Sequence, residues 1–248
     1  MKSWANIQTI AKRELSGYFA SPLAVVIIVI FLLLMGFFTF MIGFLLERRE
    51  ASLYWFFYWH PWLYLLLVPA IGMRLWSEER RLGTMELLLT MPITAWQAIV
   101  GKFLASWVFL LLALVLTFPI IMTVNYLGHP DNGIIFCGYV GSFLLAGAYL
   151  AVSCLTSAMT RNQVISFIIA VVICLVLLLA GFPPVTNLFT SWAPNWLVDT
   201  VSSFSVYPHF EDFQKGVLDL RDLVFFLSII GFSLFTTGVV IRNHRSGH

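Results

Sequence analysis

Six long runs free of Asp, Glu, Lys and Arg dominate this chain, at 23–46, 53–73, 103–127, 134–158, 164–182 and 223–241. Each is 19 to 25 residues long, close to the ~20 residues a helix rising ~1.5 Å per residue needs to cross ~30 Å of hydrocarbon. Composition agrees, with 60% hydrophobic and 10% charged residues, against about 25% charged in a soluble domain. The reading is an all-α integral membrane protein of six transmembrane helices, built as a single domain over 1–248. The first run is too long for a signal-peptide core and lacks a small-x-small cleavage site, so it is read as a true span.

Positive charge sets the orientation. With six spans both termini share a side, and that side carries Lys2, Lys12, Arg13, Arg74, Arg80, Arg81, Lys102, Arg161, Arg242 and Arg245. The opposite side has only Arg48, Arg49, Lys215 and Arg221. Both termini are therefore expected in the cytoplasm.

Several kinds of chemistry find no support. No acidic or basic residue lies near the middle of a span, which disfavours a proton- or ion-coupled carrier. The net charge of +2 gives nucleic acid no basic stripe to bind. Cys137, Cys154 and Cys174 all lie inside apolar runs and read as small buried residues. Ser153, Thr156 and Ser157 share one run with no histidine at matching depth, so a hydrolase is not expected. Gly101-Lys102 is followed by Phe103 and lacks the earlier glycine of a phosphate-binding loop. His60, His129 and His209 near the outer surface keep open one alternative, a redox or metallocofactor-handling membrane protein.

The connections have structure of their own. Ahead of the first run, Trp4, Ile7, Ile10, Ala11, Leu15, Tyr18 and Phe19 recur at helical spacing, which predicts an interfacial helix broken at Ser21-Pro22. The outer connection 183–221 is apolar for a loop, and Pro194 divides it. Short helices are expected at 195–204 and 208–216, the second ending on Gly216, with Asp219 or Asp222 capping the last span. Between spans two and three, Glu78–Arg81 reads as a charged extension of span two. Gly83 can end it, and Thr84 can cap a short helix with Glu86 in its first turn and Leu87, Leu88 and Leu89 as its apolar face. Held under the bilayer, such a helix could be gripped by a partner, or could be an inert interfacial helix.

At these residues the chain resembles the ABC-2 type transporter permeases. The match rests on Glu78, Glu79, Arg80, Gly83, Thr84, Glu86, Leu88, Leu89, Pro92, Gly101 and Lys102. The opening Arg13-Glu14-Leu15, Tyr18-Phe19 and Ser21-Pro22 are also similar, as are Phe210, Phe213, Gly216-Val217-Leu218-Asp219 and Arg221-Asp222-Leu223. The last block resembles the branch that includes gliding-motility-associated and nitrous-oxide-reductase-maturation permeases. The resemblance implies an elbow helix containing Arg13, Glu14, Tyr18 and Phe19, and a coupling helix at 84–89. Its ATPase-coupling residues would be Glu78, Glu79, Arg80, Gly83, Thr84, Met85, Glu86, Leu87, Leu88 and Leu89.

It further implies a non-enzymatic subunit of the inner membrane, paired with a second permease copy or relative and with two separate ATPase subunits. An outer-side accessory protein is a further partner the branch allows. ATP and magnesium would belong to the ATPases, with no cofactor in this chain. Spans rich in Phe and Leu suit export or flipping of an amphipathic, lipid-linked or polymeric cargo.

Overall fold

The computed structural model describes residues 2–45, 51–85, 93–190 and 193–246, and among these every regular element is helical. Helix α1, Lys2–Ala20, lies against α6, Ala95–Val115. Ser21 then adopts extended backbone and Pro22 occupies the first turn of α2, Pro22–Phe37, where its fixed φ and missing N–H do no harm. Phe38–Ile42 continues α2 as a π-helical segment in which the Thr39 hydroxyl bonds back to Met35 O at 2.6 Å.

The run 53–73 becomes two pieces, α3, Tyr54–Tyr58, and α4, His60–Gly72; past it, after Met73, comes α5, Arg74–Leu82. Pro61 opens α4 and Pro69 sits inside it, so the hydrogen-bond ladder is interrupted where a continuous span was expected. After α6 come α7, Phe118–Leu127, and α8, Asn132–Met159, capped by Asp131. Asn162 caps α9, Gln163–Leu179. The connection that follows holds α10, Pro183–Phe189; α11, Asn195–Ser203; and α12, Val206–Gln214, before α13, Leu220–Ser246. Gly216, at φ 81°, makes the turn after α12.

Among the described residues four helical stretches are long and apolar enough to cross a bilayer: Ala24–Ile42, Ala95–Leu127, Asn132–Met159 and Leu220–Asn243. A fifth exists if α9 and α10, bent by 71°, count as one span. The sixth expected span is the divided run 53–73, neither of whose pieces is long enough alone.

Helix α8 is the hub, touching α4, α5, α6, α9, α12 and α13. Of its most apolar stretch 72% is buried, against 17% for Ala24–Ile42, so α8 forms the core and α2 the lipid-facing wall. Glycines on α8 let bulky neighbours lie against its backbone. A Cβ on Gly141 would come within 2.6 Å of Phe213, and one on Gly147 within 2.8 Å of Trp107, the close approach that small residues allow in membrane bundles.

Candidate coupling site

Helix α6 begins with a reciprocal cap in which Thr94 Oγ1 accepts from Gln97 N and Gln97 Oε1 accepts from Thr94 N at 3.1 Å. The same Gln97 Oε1 accepts from Asn6 Nδ2 of α1 at 3.3 Å. One turn on, α1 and α6 come together at Gly101, where an added Cβ would lie 2.8 Å from Ile10. Only a residue without a side chain lets the two helices meet so closely.

That approach sinks the next residue, Lys102, until its side chain is only 4% exposed. Its Nζ donates to Glu14 Oε1 of α1 at 3.1 Å and pairs with Glu79 Oε1 of α5 at 2.8 Å. It also stands 5.5 Å from the centroid of the Trp76 ring. One lysine thus ties three helices, and burial makes each ion pair stronger than it would be at a surface. Below it, Ser106 donates to Lys102 O at 3.0 Å, and the Ser106 and Tyr18 hydroxyls lie 2.8 Å apart. Tyr18 stacks on Phe109 at 5.1 Å, and burial pushes its phenol up to about 12, so it stays neutral. Phe19 meets the same Phe109 edge-on.

Helix α5 is fixed from the other side by α8. The Ser157 hydroxyl accepts from Trp76 N and Ser77 N, each at 3.0 Å, and donates to Met73 O at 2.8 Å. All three of its hydrogen-bonding positions are used, and they lie across the α4–α5 break. Trp76 Nε1 donates to Cys154 Sγ at 3.3 Å, and the Arg80 guanidinium donates to Ala158 O. Burial, then the like charge of Arg161, lowers the Arg80 pKa from its ordinary value.

Helix α5 ends at Gly83, whose φ of 71° is left-handed backbone that a glycine adopts without strain. Its N–H bonds to Glu79 O, and the Thr84 hydroxyl reaches the same carbonyl at 3.5 Å. Met85 is buried, and Glu78 stands 3.7 Å from Arg74. Of the residues singled out in the sequence, Glu79 and Glu14 therefore meet at Lys102, and Arg80 reaches α8. Arg13 bonds to its neighbour Glu14 at the surface, at 3.2 Å. Glu86, Leu87, Leu88 and Leu89 lie outside the described residues.

Sequence reasoning missed Ser157 as the stitch and Lys102 as the centre. The spacing of Ser153, Thr156 and Ser157 on one apolar run was visible, but the helix it would meet was not. A buried pair was missed as well. His209 Nδ1 lies 2.6 Å from Asp222 Oδ1, and Nε2 lies 3.1 Å from Ser203 O. Both ring nitrogens of His209 are thus engaged, those of His60 sit in a buried aromatic cage with Nδ1 on Phe56 O, and His129 is exposed. Among the described residues no three His, Cys, Asp or Glu side chains converge as metal ligands would.

A family model described as ABC-2 family transporter protein matches residues 61–229, from α4 into α13, which includes Lys102, Trp76 and Glu79 but not the α1 residues Glu14 and Tyr18. The chain belongs to this family. It is a multi-pass membrane transport component of the ABC-2 type, a kind that works with ABC ATPase subunits and is generally not catalytic itself. No curated protein matches the chain. The Lys102 junction is the candidate site, because it joins α1, α5 and α6 beside residues 78–84 and Gly101, which carry the resemblance.

Proposed function

We propose that this chain is the permease subunit of an ATP-driven exporter or flippase, powered from outside through the segment 84–89. In this reading α3 and α4 together make the sixth crossing, over 53–73, with α5 as its charged cytoplasmic extension; α1 is the elbow helix, and both termini lie in the cytoplasm of an inner-membrane protein. Two ATPase subunits grip 84–89 of two paired permeases, and the cofactors ATP and magnesium sit in the ATPases. The Lys102 junction carries the proposal. A push on 84–89 reaches α5 through the Gly83 turn, and Lys102 passes it to α1 and α6 while Ser157 passes it to α8. Tilting of these helices opens a path whose Phe- and Leu-rich walls suit an amphipathic, lipid-linked or polymeric cargo.

The test is co-purification of the tagged chain with its ATPase from membranes. Glu86→Lys is expected to release the ATPase at least tenfold while the permease stays folded, since charge reversal at a docking contact opposes binding directly. Undiminished recovery of the ATPase, with full stimulation of its hydrolysis, would overturn the assignment of 84–89.

A further inference from the structure

Beside the Lys102 junction the helices leave a hollow. A cavity of about 410 Å³ lies between α1, α2, α4, α5 and α6. Its lining is of two kinds: Glu14, Arg74, Glu78, Glu79 and Lys102 are charged, whereas Ala24, Ile27, Ile71 and Leu75 are apolar. Its apolar side is formed by α2, the lipid-facing wall of the bundle, and by α4 and α5.

The charges in this lining do not close among themselves. Three carboxylates face two cations, and Lys102 is already shared between Glu14 and Glu79. Glu79 Oε2 and Arg74 Nε are buried without hydrogen-bond partners and out of a ligand's reach. Arg74 and Glu78 approach each other only to 3.7 Å, and their side chains are 36% and 38% exposed. A loosely paired, accessible guanidinium and carboxylate in one wall suit a ligand that carries both signs.

We propose that the cavity holds the headgroup of a membrane phospholipid bearing a primary ammonium. The ammonium, with three N–H donors, pairs with Glu78, and the phosphate pairs with the Arg74 guanidinium. The acyl chains leave past Ala24 and Ile27 onto α2, the lipid-facing wall. A quaternary trimethylammonium has no N–H to give, and a glycerol headgroup has no cation, so the site discriminates between common phospholipids. The apolar lining of Ala24, Ile27, Ile71 and Leu75 favours a lipid over a free amine. This site is separate from ATPase docking and stands whether or not 84–89 binds a partner.

The experiment uses the full chain, purified in detergent, stripped of lipid and titrated with phosphatidylethanolamine, phosphatidylcholine or phosphatidylglycerol. Bound lipid is read by native mass spectrometry, and folding by the thermal transition. Phosphatidylethanolamine is expected to half-saturate the protein at about tenfold lower concentration than either other lipid, the worth of one charge-assisted hydrogen bond or more. Glycerophosphoethanolamine, the headgroup without tails, is expected to bind far more weakly. Two variants should abolish the preference. Glu78→Gln removes the carboxylate that pairs with the ammonium, and Gly17→Trp fills the cavity from a position where an added Cβ meets nothing within 4 Å. Replacing a helical glycine also favours the helix, so Gly17→Trp should fold. Equal binding of the three lipids, a preference surviving in both folded variants, tight binding of the tailless headgroup, or a wild type that retains no lipid would each overturn the proposal. The last result would mean a cavity filled by water alone.

Discussion

Lys102 is the residue on which the candidate site turns, because it is a buried charge whose only compensation is other charges. Removing it by Lys102→Met leaves Glu14 and Glu79 facing each other without a cation, in surroundings that screen them poorly. The expected cost is about 3–5 kcal/mol of stability, typical for breaking a buried pair from one side. It should appear as a lowered thermal transition in detergent. Lys102→Arg should recover much of the loss but not all, because a planar fork must replace a compact ammonium beside the Trp76 ring. Gly101 and Lys102 were readable in the sequence only as part of a family signature. The reason for each, a close helix approach and a three-helix ion pair, needed Ile10, Glu14 and Glu79 to be brought together across the chain. His209 and Asp222, 13 residues apart, were out of reach for the same reason: nothing local says that α12 folds back onto α13.

At the scale of elements, the chain's breaks and contacts each have a single-residue cause. Ser157→Ala removes the acceptor for two backbone N–H groups at the α4–α5 junction and should cost about 2 kcal/mol, since buried donors left unpaired cost roughly 1–3 kcal/mol. Ser228→Ala, at an exposed site where the hydroxyl bonds only to its own helix, should change stability by less than about 0.5 kcal/mol. Thermal unfolding of the two variants side by side checks the contrast. Glycines divide likewise. Gly141→Ala drives a methyl into Phe213 and should destabilise by about 1–3 kcal/mol. Gly231→Ala meets open space inside α13 and should be neutral or stabilising by up to about 1 kcal/mol. The long helices were legible because an uncharged run of membrane length has few other fates. The division of 53–73 was less so, although Pro61 and Pro69 stood in plain view: proline is tolerated in membrane helices when neighbours satisfy the freed groups. Ser157 instead serves the α4–α5 junction, bonding Met73 O from 84 residues away.

On the scale of the whole molecule, the arrangement is a bundle around α8 with its charged machinery gathered at one end. Exposed apolar side chains on α2, α9 and α13 face outward, among them Leu33, Val176 and Phe232, as lipid contact requires. The family assignment and the transport role follow from residues 61–229, while the power source, the sidedness and the cargo belong to the proposal. Those three hang together, because a docked ATPase fixes the side on which 84–89 lies. The most direct measurement is photo-crosslinking in intact membranes that contain the chain and its ATPase, with a photoreactive amino acid placed at position 88 or, separately, at position 204. An ATPase adduct is expected from position 88 and none from position 204, which the proposal places on the opposite side of the membrane. An ATPase adduct from position 204, or none from position 88 while the two proteins still co-purify, would contradict it.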